Sequence, residues 1–204
     1  MIGIVDYGLG NLASVAGAVE KLGFEPVVSS DADVLSHAEK LILPGVGAFG
    51  DGIRNLRERG LVDPLTRLVL EEHRPMLGIC LGFQLLAEES EEFGRHGGLG
   101  WLPARVRRIA VGRSGLPVPH VGWNELAQQR ASTVFDGVEQ DALFYFVHSY
   151  VMESRDPEIV IGECEYGEGF TAAIQSDNIY GTQFHPEKSQ RAGLRILGNF
   201  LEKA

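Results

Sequence analysis

The pentapeptide Gly78-Ile79-Cys80-Leu81-Gly82 constrains the fold more than any other part of the chain. An apolar run, Met76 to Ile79, leads into it, and a helix-like run, Phe83-Gln84-Leu85-Leu86-Ala87-Glu88, leaves it. Strand, G-x-C-x-G, helix is the cysteine form of a nucleophile elbow, a sharp turn that pushes one reactive side chain clear of a sheet. Glycines two positions either side of Cys80 leave room for the turn, because a residue without Cβ permits close backbone approach and positive φ. Cys80 would also sit at a helix N-terminus, where the macrodipole favours an anion. The bland alternative is a small buried hydrophobe, since free cysteine is among the most buried residue types. The flanking glycines and the switch from strand to helix favour the elbow, provided that the chain also supplies a base.

The first ninety residues alternate between strand-like and helix-like patterns. Ile2-Gly3-Ile4-Val5 reads as a buried strand, then Leu12, Val15, Ala16, Val19 and Leu22 recur at helical spacing until Gly23. Pro26-Val27-Val28 and Leu41-Ile42-Leu43 read as the next strands, the second closed by Pro44-Gly45-Val46-Gly47. Ile53 and Leu56, then Leu61, Leu65, Leu68 and Val69, suggest two helical pieces before the strand at Met76. This alternation predicts an α/β fold with a mostly parallel central sheet flanked by helices. Short strand-like runs follow at 105–111, 118–121, 143–147, 159–163, 170–174 and 179–184, separated by turn residues such as Gly167, Gly169, Asp177 and Asn178. They predict an antiparallel extension. Ser189 is placed to cap a last helix carrying Leu194, Ile196, Leu197, Phe200 and Leu201. At 204 residues, 44% hydrophobic and 23% charged, the chain is expected to form one domain, 1–204, with a substantial core.

Composition removes several function classes. A net charge of −10 argues against a general nucleic-acid binder. The longest mostly apolar run, Pro75 to Ala87, is too short to span a bilayer. The opening Met1-Ile2-Gly3-Ile4-Val5-Asp6 lacks the basic region of a signal peptide. With Cys80 and Cys164 as the only cysteines, a reduced, cytoplasmic setting is expected.

A thiol nucleophile needs a base, and the base needs a third group to orient it. His37, His73 and His96 lie in polar contexts and read as surface residues, whereas His120 and His148 adjoin apolar runs. His185 follows the strand-like run 179–184 and precedes Pro186-Glu187. The proline biases His185 towards an extended conformation, and residues i and i+2 of an extended segment project to one side. His185 and Glu187 are therefore expected side by side, the carboxylate fixing the imidazole tautomer; a polar turn at a strand end is the alternative. The elbow and this pair both fall at the C-terminal ends of predicted strands, where open α/β sheets bind ligands.

Gly78-Ile79-Cys80-Leu81-Gly82-Phe83-Gln84 together with His185-Pro186-Glu187 resemble the class I (triad) glutamine amidotransferases. Within that family the chain is most similar to the glutaminase subunits of imidazole glycerol phosphate synthases. The blocks carrying this are Val5-Asp6-Tyr7-Gly8-Leu9-Gly10-Asn11-Leu12, Pro44-Gly45-Val46-Gly47-Ala48-Phe49, Pro119-His120-Val121-Gly122-Trp123-Asn124, Phe146-Val147-His148-Ser149-Tyr150 and the segment 181–190. They run from end to end of the chain.

The resemblance implies that Cys80 attacks the side-chain amide carbon of glutamine, that His185 moves the proton to the leaving ammonia, and that Glu187 holds His185. The Leu81 N–H is one expected oxyanion donor, with Val46 or Gly47 as the other. Gln84, His148, Ser149 and Tyr150 are expected to line the glutamine pocket. The implied partner is a (β/α)₈ cyclase subunit in a heterodimer, which takes up the ammonia for histidine biosynthesis. Asp6, Tyr7, Asn11, Trp123, Asn124 and Lys188 are expected to face it, Lys188 offering its charge to a carboxylate. No cofactor and no metal are expected.

Other readings remain. Gly8-Leu9-Gly10-Asn11-Leu12-Ala13 fits G-x-G-x-x-A after a strand, with Asp31 near the place of a ribose-binding acid, as in dinucleotide enzymes; this leaves the elbow unexplained. A cysteine peptidase on the same scaffold is a second. Within the amidotransferases, the glutaminase of pyridoxal phosphate synthase has similar size but a different opening pattern.

Overall fold

The computed structural model describes residues 1–204. Four parallel strands come from the first eighty residues: Ile2–Val5 (β1), Pro26–Ser29 (β2), Lys40–Leu43 (β3) and Met76–Ile79 (β4). Beyond the elbow come Ala87–Ser90 (β5), His96–Gly97 (β6), Leu102–Arg108 (β7), His120–Glu125 (β8), Ala127–Gln128 (β9) and Leu143–His148 (β10). Tyr150–Ser154 (β11), Val160–Glu165 (β12), Gly169–Ser176 (β13) and Ile179–Thr182 (β14) complete the strands. β14 lies parallel to β4, giving the order β2-β1-β3-β4-β14-β13-β11-β7-β5-β6, with β12 on β13 and the short β9 on β12. The pairings β14–β13, β13–β11 and β11–β7 are antiparallel. β8 and β10 form a separate antiparallel ribbon.

The helices are Leu12–Lys21 (α1), Ala32–Ser36 (α2), Phe49–Glu58 (α3), Val62–Thr66 (α4), Leu81–Gln84 (α5) and Gln190–Lys203 (α6). Alternate residues of a strand point to opposite faces. Ile2, Ile4, Ile42, Leu77 and Ile79 therefore enter one core, with Val15 and Val19 of α1 and Ile196, Leu197 and Phe200 of α6. Val5, Leu41, Leu43 and Met76 enter the other, with Leu35 of α2, Phe49, Ile53 and Leu56 of α3 and Leu65 of α4. Burial on both faces is why these strands read as continuous apolar runs. No helix is long and apolar enough to cross a membrane.

The mostly parallel sheet with an antiparallel extension is as the sequence predicts. Three details differ. The helix leaving the elbow stops at Gln84, and Ala87–Ser90 is a strand. The carbonyls of Leu85 and Leu86 accept bonds from the amides of Leu99, Trp101 and Leu102 instead of from a further helical turn, so long-range pairing overrides helical spacing. The run 118–121 belongs to the β8–β10 ribbon, outside the main sheet. Ser189 stands at the start of α6 but makes no capping bond. Its hydroxyl donates to the His185 carbonyl at 2.6 Å and accepts from the Tyr145 amide at 2.9 Å, so it ties the His185 segment to the ribbon.

Candidate active site

Cys80 stands between β4 and α5 with φ 55° and ψ −109°. A non-glycine residue there costs on the order of 1–3 kcal/mol and persists only where its surroundings hold it. Here the Cys80 amide donates to the Thr182 carbonyl at 2.8 Å, and its carbonyl accepts from the Gln84 amide at 3.1 Å. Neither flanking glycine has positive φ. They serve close approach alone: a Cβ on Gly82 would collide with the Leu43 carbonyl, and one on Gly78 would lie 2.7 Å from Phe83 Cα. The strained conformation belongs to the cysteine itself.

Because β14 runs beside β4, the residues after Thr182 pass the elbow. His185 is extended, at φ −97° and ψ 97°, as a residue before proline should be. Glu187 lies in a 3₁₀ turn, Pro186–Lys188, and not in the extended segment that the i, i+2 argument assumed. The turn still brings Glu187 Oε1 to 2.8 Å from His185 Nδ1, with the two side chains 2% and 1% exposed. This bond fixes the proton on Nδ1 and leaves Nε2 to exchange one. Nε2 is buried and makes no hydrogen bond, and neither does Glu187 Oε2. Burial acts to lower the His185 pKa, but its interactions with Cys80 and Glu187 outweigh this and push it up to about 9. The imidazole can therefore hold a proton taken from the thiol at neutral pH.

A pocket of about 170 Å³ opens over Cys80. The expected pocket and oxyanion residues all line it: Leu81 and Gln84 beside the elbow, Val46 and Gly47 from one loop, and His148, Ser149 and Tyr150 where β10 passes into β11. Gln84 Nε2 donates to the Tyr150 carbonyl and to Gln183 Oε1, both at 2.9 Å. The Leu81 amide is engaged, donating to the Gly45 carbonyl at 3.4 Å. Gly45 must be glycine, since a Cβ there would collide with the Tyr7 hydroxyl.

Sequence reasoning missed three members of the site. Glu92 lines the pocket and accepts from the Phe49 amide at 2.7 Å, and burial pushes its carboxyl up. Nothing within the run Glu88-Glu89-Ser90-Glu91-Glu92 sets it apart. Gln183, fully buried, reaches Cys80 Sγ with Nε2 at 3.8 Å. His120 Nδ1 lies 3.0 Å from His148 Nε2, whose Nδ1 lies 3.0 Å from the Tyr150 carbonyl. A carbonyl only accepts, so both histidines carry their proton on Nδ1. Burial pushes His148 down to about 3, with His120 adding to it, and His120 down to about 4, so the pair is neutral at pH 7.

The partner-facing set divides. Trp123 is 44% exposed, opposite Tyr145 in the ribbon, and Lys188 Nζ sits 5.9 Å above the Tyr145 ring. Asp6 and Asn11 reach the surface, where Asp6 pairs with Arg59 and Asn11 caps α1. Tyr7 is not at the surface: it is fully buried against Gly45. Asn124 turns inward, as strand alternation from Trp123 requires, and donates to the Glu165 carbonyl at 2.9 Å. Asp31, the acid of the dinucleotide reading, caps α2 through the Asp33 amide.

Residues 3–204 match the family model "Glutamine amidotransferase class-I". The "Imidazole glycerol phosphate synthase subunit HisH" of Geobacter sulfurreducens is 52% identical, over 98% of this chain and 98% of its own. The protein of the same description from Aquifex aeolicus is 48% identical, over 98% of this chain and 96% of its own. A crystal structure of a glutamine amidotransferase superposes with a TM-score of 0.73 at 24% identity, covering 98% of this chain and 97% of that one. With the elbow, the buried His-Glu pair and the pocket in one place, the chain belongs to the class I glutamine amidotransferases.

Proposed function

We propose that this chain is the glutaminase subunit of an imidazole glycerol phosphate synthase, a single catalytic domain over 1–204 working in a reducing cytoplasm. The observation that carries the reading is the buried His185–Glu187 pair interacting with Cys80, whose other side lines the pocket. Relatives at 52% and 48% identity over nearly the whole chain, described as subunits of that synthase, support the choice among amidotransferases.

Cys80 gives its proton to His185 Nε2, and the sulfur attacks the carboxamide carbon of glutamine. The proton then passes from His185 to the leaving ammonia, giving a glutamyl thioester. Water, deprotonated by His185, hydrolyses the thioester to glutamate. Glu187 stabilises the imidazolium between these steps. Glu92 is placed to meet the substrate's ammonium, and Gln84 Oε1, which makes no bond within the chain, to meet a polar group of the substrate. Ammonia released into water becomes mostly ammonium, so it is delivered to a cyclase partner docked over the exposed face of the ribbon around Trp123 and Lys188. Glutamate release from glutamine, measured with and without a cyclase subunit, tests the assignment; no release under either condition would overturn it.

A further inference from the structure

We propose that Gln183 is a further catalytic residue, which donates a hydrogen bond to the Cys80 sulfur and favours its thiolate. The proposal rests on Cys80 being the nucleophile of the glutaminase described above.

A buried carboxamide is costly unless both of its ends are bonded. Gln183 is fully buried, with Oε1 held by Gln84 Nε2 at 2.9 Å and Nε2 at 3.8 Å from Cys80 Sγ. Which end faces the sulfur follows from a succession of one-way bonds. The Tyr150 carbonyl can only accept, and its position is held by His148 Nδ1 at 3.0 Å. Gln84 must therefore turn its NH₂ towards that carbonyl. The second hydrogen of the same NH₂ points to Gln183, which must answer with its oxygen. The NH₂ of Gln183 is left for Cys80.

A neutral amide donating to a neutral thiol makes a weak bond. The bond becomes charge-assisted once the proton has moved to His185 Nε2. The preference for the charged form acts twice in the cycle. It raises the fraction of sulfur ready to attack, and it eases departure of the sulfur when the thioester intermediate collapses and charge returns to Sγ. A hydrogen bond to a charged group shifts such equilibria by about tenfold or more.

The test is alkylation of Cys80 by iodoacetamide at pH 7 in the full chain, followed by mass spectrometry of the Cys80 peptide. Cys164 is 2% exposed and pushed up to about 12 by burial, so it stays silent. Gln183→Met keeps the volume and removes the donor; Gln183→Glu keeps the acceptor for Gln84 and removes the donor. Both are expected to slow alkylation about tenfold, and to lower kcat by a similar factor with KM within about twofold, for a hydrogen bond of this class. A purely structural role predicts instead that Gln183→Met raises KM while Cys80 is alkylated as fast as in wild type. That pattern, or a folded Gln183→Met chain alkylated at the wild-type rate, would overturn the proposal. Alkylation needs no glutamine, so the two failures separate: a wild-type chain that never turns over glutamine would overturn the glutaminase reading and the catalytic role with it, whereas equal alkylation of wild type and Gln183→Met in an active enzyme would overturn the role of Gln183 alone.

Discussion

The Leu81 amide donates to the Gly45 carbonyl, and this bond occupies the N–H that a nucleophile elbow offers to an oxyanion. For Leu81 to be free, the Gly45–Val46 peptide must turn, which would also re-aim the Val46 N–H. Losing one oxyanion donor lowers kcat by about 10²–10³. The isolated chain should therefore hydrolyse glutamine slowly, and a cyclase with its nucleotide ligand should raise the rate by about that factor. Full glutamate release by the chain alone, unchanged by any cyclase, would refute this.

Cys80→Ala should abolish glutaminase activity while leaving the melting temperature near that of wild type. The residue is 6% exposed, but its sulfur faces a pocket that already exists, so little packing is lost. The variant should still bind the cyclase, and added ammonium salts should restore cyclisation. Cys164→Ala should retain most activity, since Cys164 is buried in the core away from the pocket. Residual glutamine turnover by Cys80→Ala at the wild-type rate would exclude the elbow thiol.

Glu187→Gln keeps the shape of the side chain but removes the charge opposite the imidazolium. By comparison with other triads its kcat should drop by roughly 10²–10⁴, and by less than in His185→Ala, because triad members act as a unit. Steady-state kinetics of both variants on one substrate series checks the order. A Glu187→Gln enzyme equal to wild type would remove the carboxylate from the mechanism.

The His120–His148 pair makes the fold acid-sensitive. Folded values of about 4 and 3 lie below the ordinary histidine value of 6.5, so the unfolded chain binds more protons than the folded one between them. Their contribution is present above about pH 6.5 and eroded as pH falls towards 4 and then 3, by at most about 1.4 kcal/mol per pH unit for each histidine. Urea midpoints measured from pH 7 down to pH 4.5 should fall, and His120→Phe should flatten the slope. A parallel slope in that variant would show that other groups carry the acid sensitivity.

Trp123→Ala should weaken the complex with the cyclase. Truncating an aromatic anchor at an interface centre costs about 2 kcal/mol or more, roughly thirtyfold in Kd. Titration calorimetry reads this directly; an unchanged Kd would place the docking face elsewhere.

The parallel core and the meeting of Cys80, His185 and Glu187 were legible because each left a local trace. β1, β3 and β4 are apolar runs, Cys80 is framed by glycines, and His185 and Glu187 stand on either side of a proline. Glu92 and Gln183 left none, and His120 only an apolar flank, because their roles come from contacts between distant segments. Gln183 meets a sulfur 103 residues away, and Glu92 meets an amide 43 residues away. Tyr7 and Asn124 differ for a related reason: they sit in blocks that reach the surface, but Tyr7 is fully buried, and strand alternation points the half-buried Asn124 at the Glu165 carbonyl. The segment after Gln84 escaped because helical spacing and strand burial look alike over so few residues.

The place of β14 between β4 and β13 also has a consequence for biosynthesis on the ribosome. Until that strand inserts, the parallel and antiparallel parts of the sheet present two unpaired edges to each other, and the elbow cysteine lacks its backbone anchor at Thr182. The same insertion delivers His185. A nascent chain ending before it carries Cys80 without His185 beside it, so completion of the sheet and assembly of the Cys80–His185–Glu187 cluster coincide.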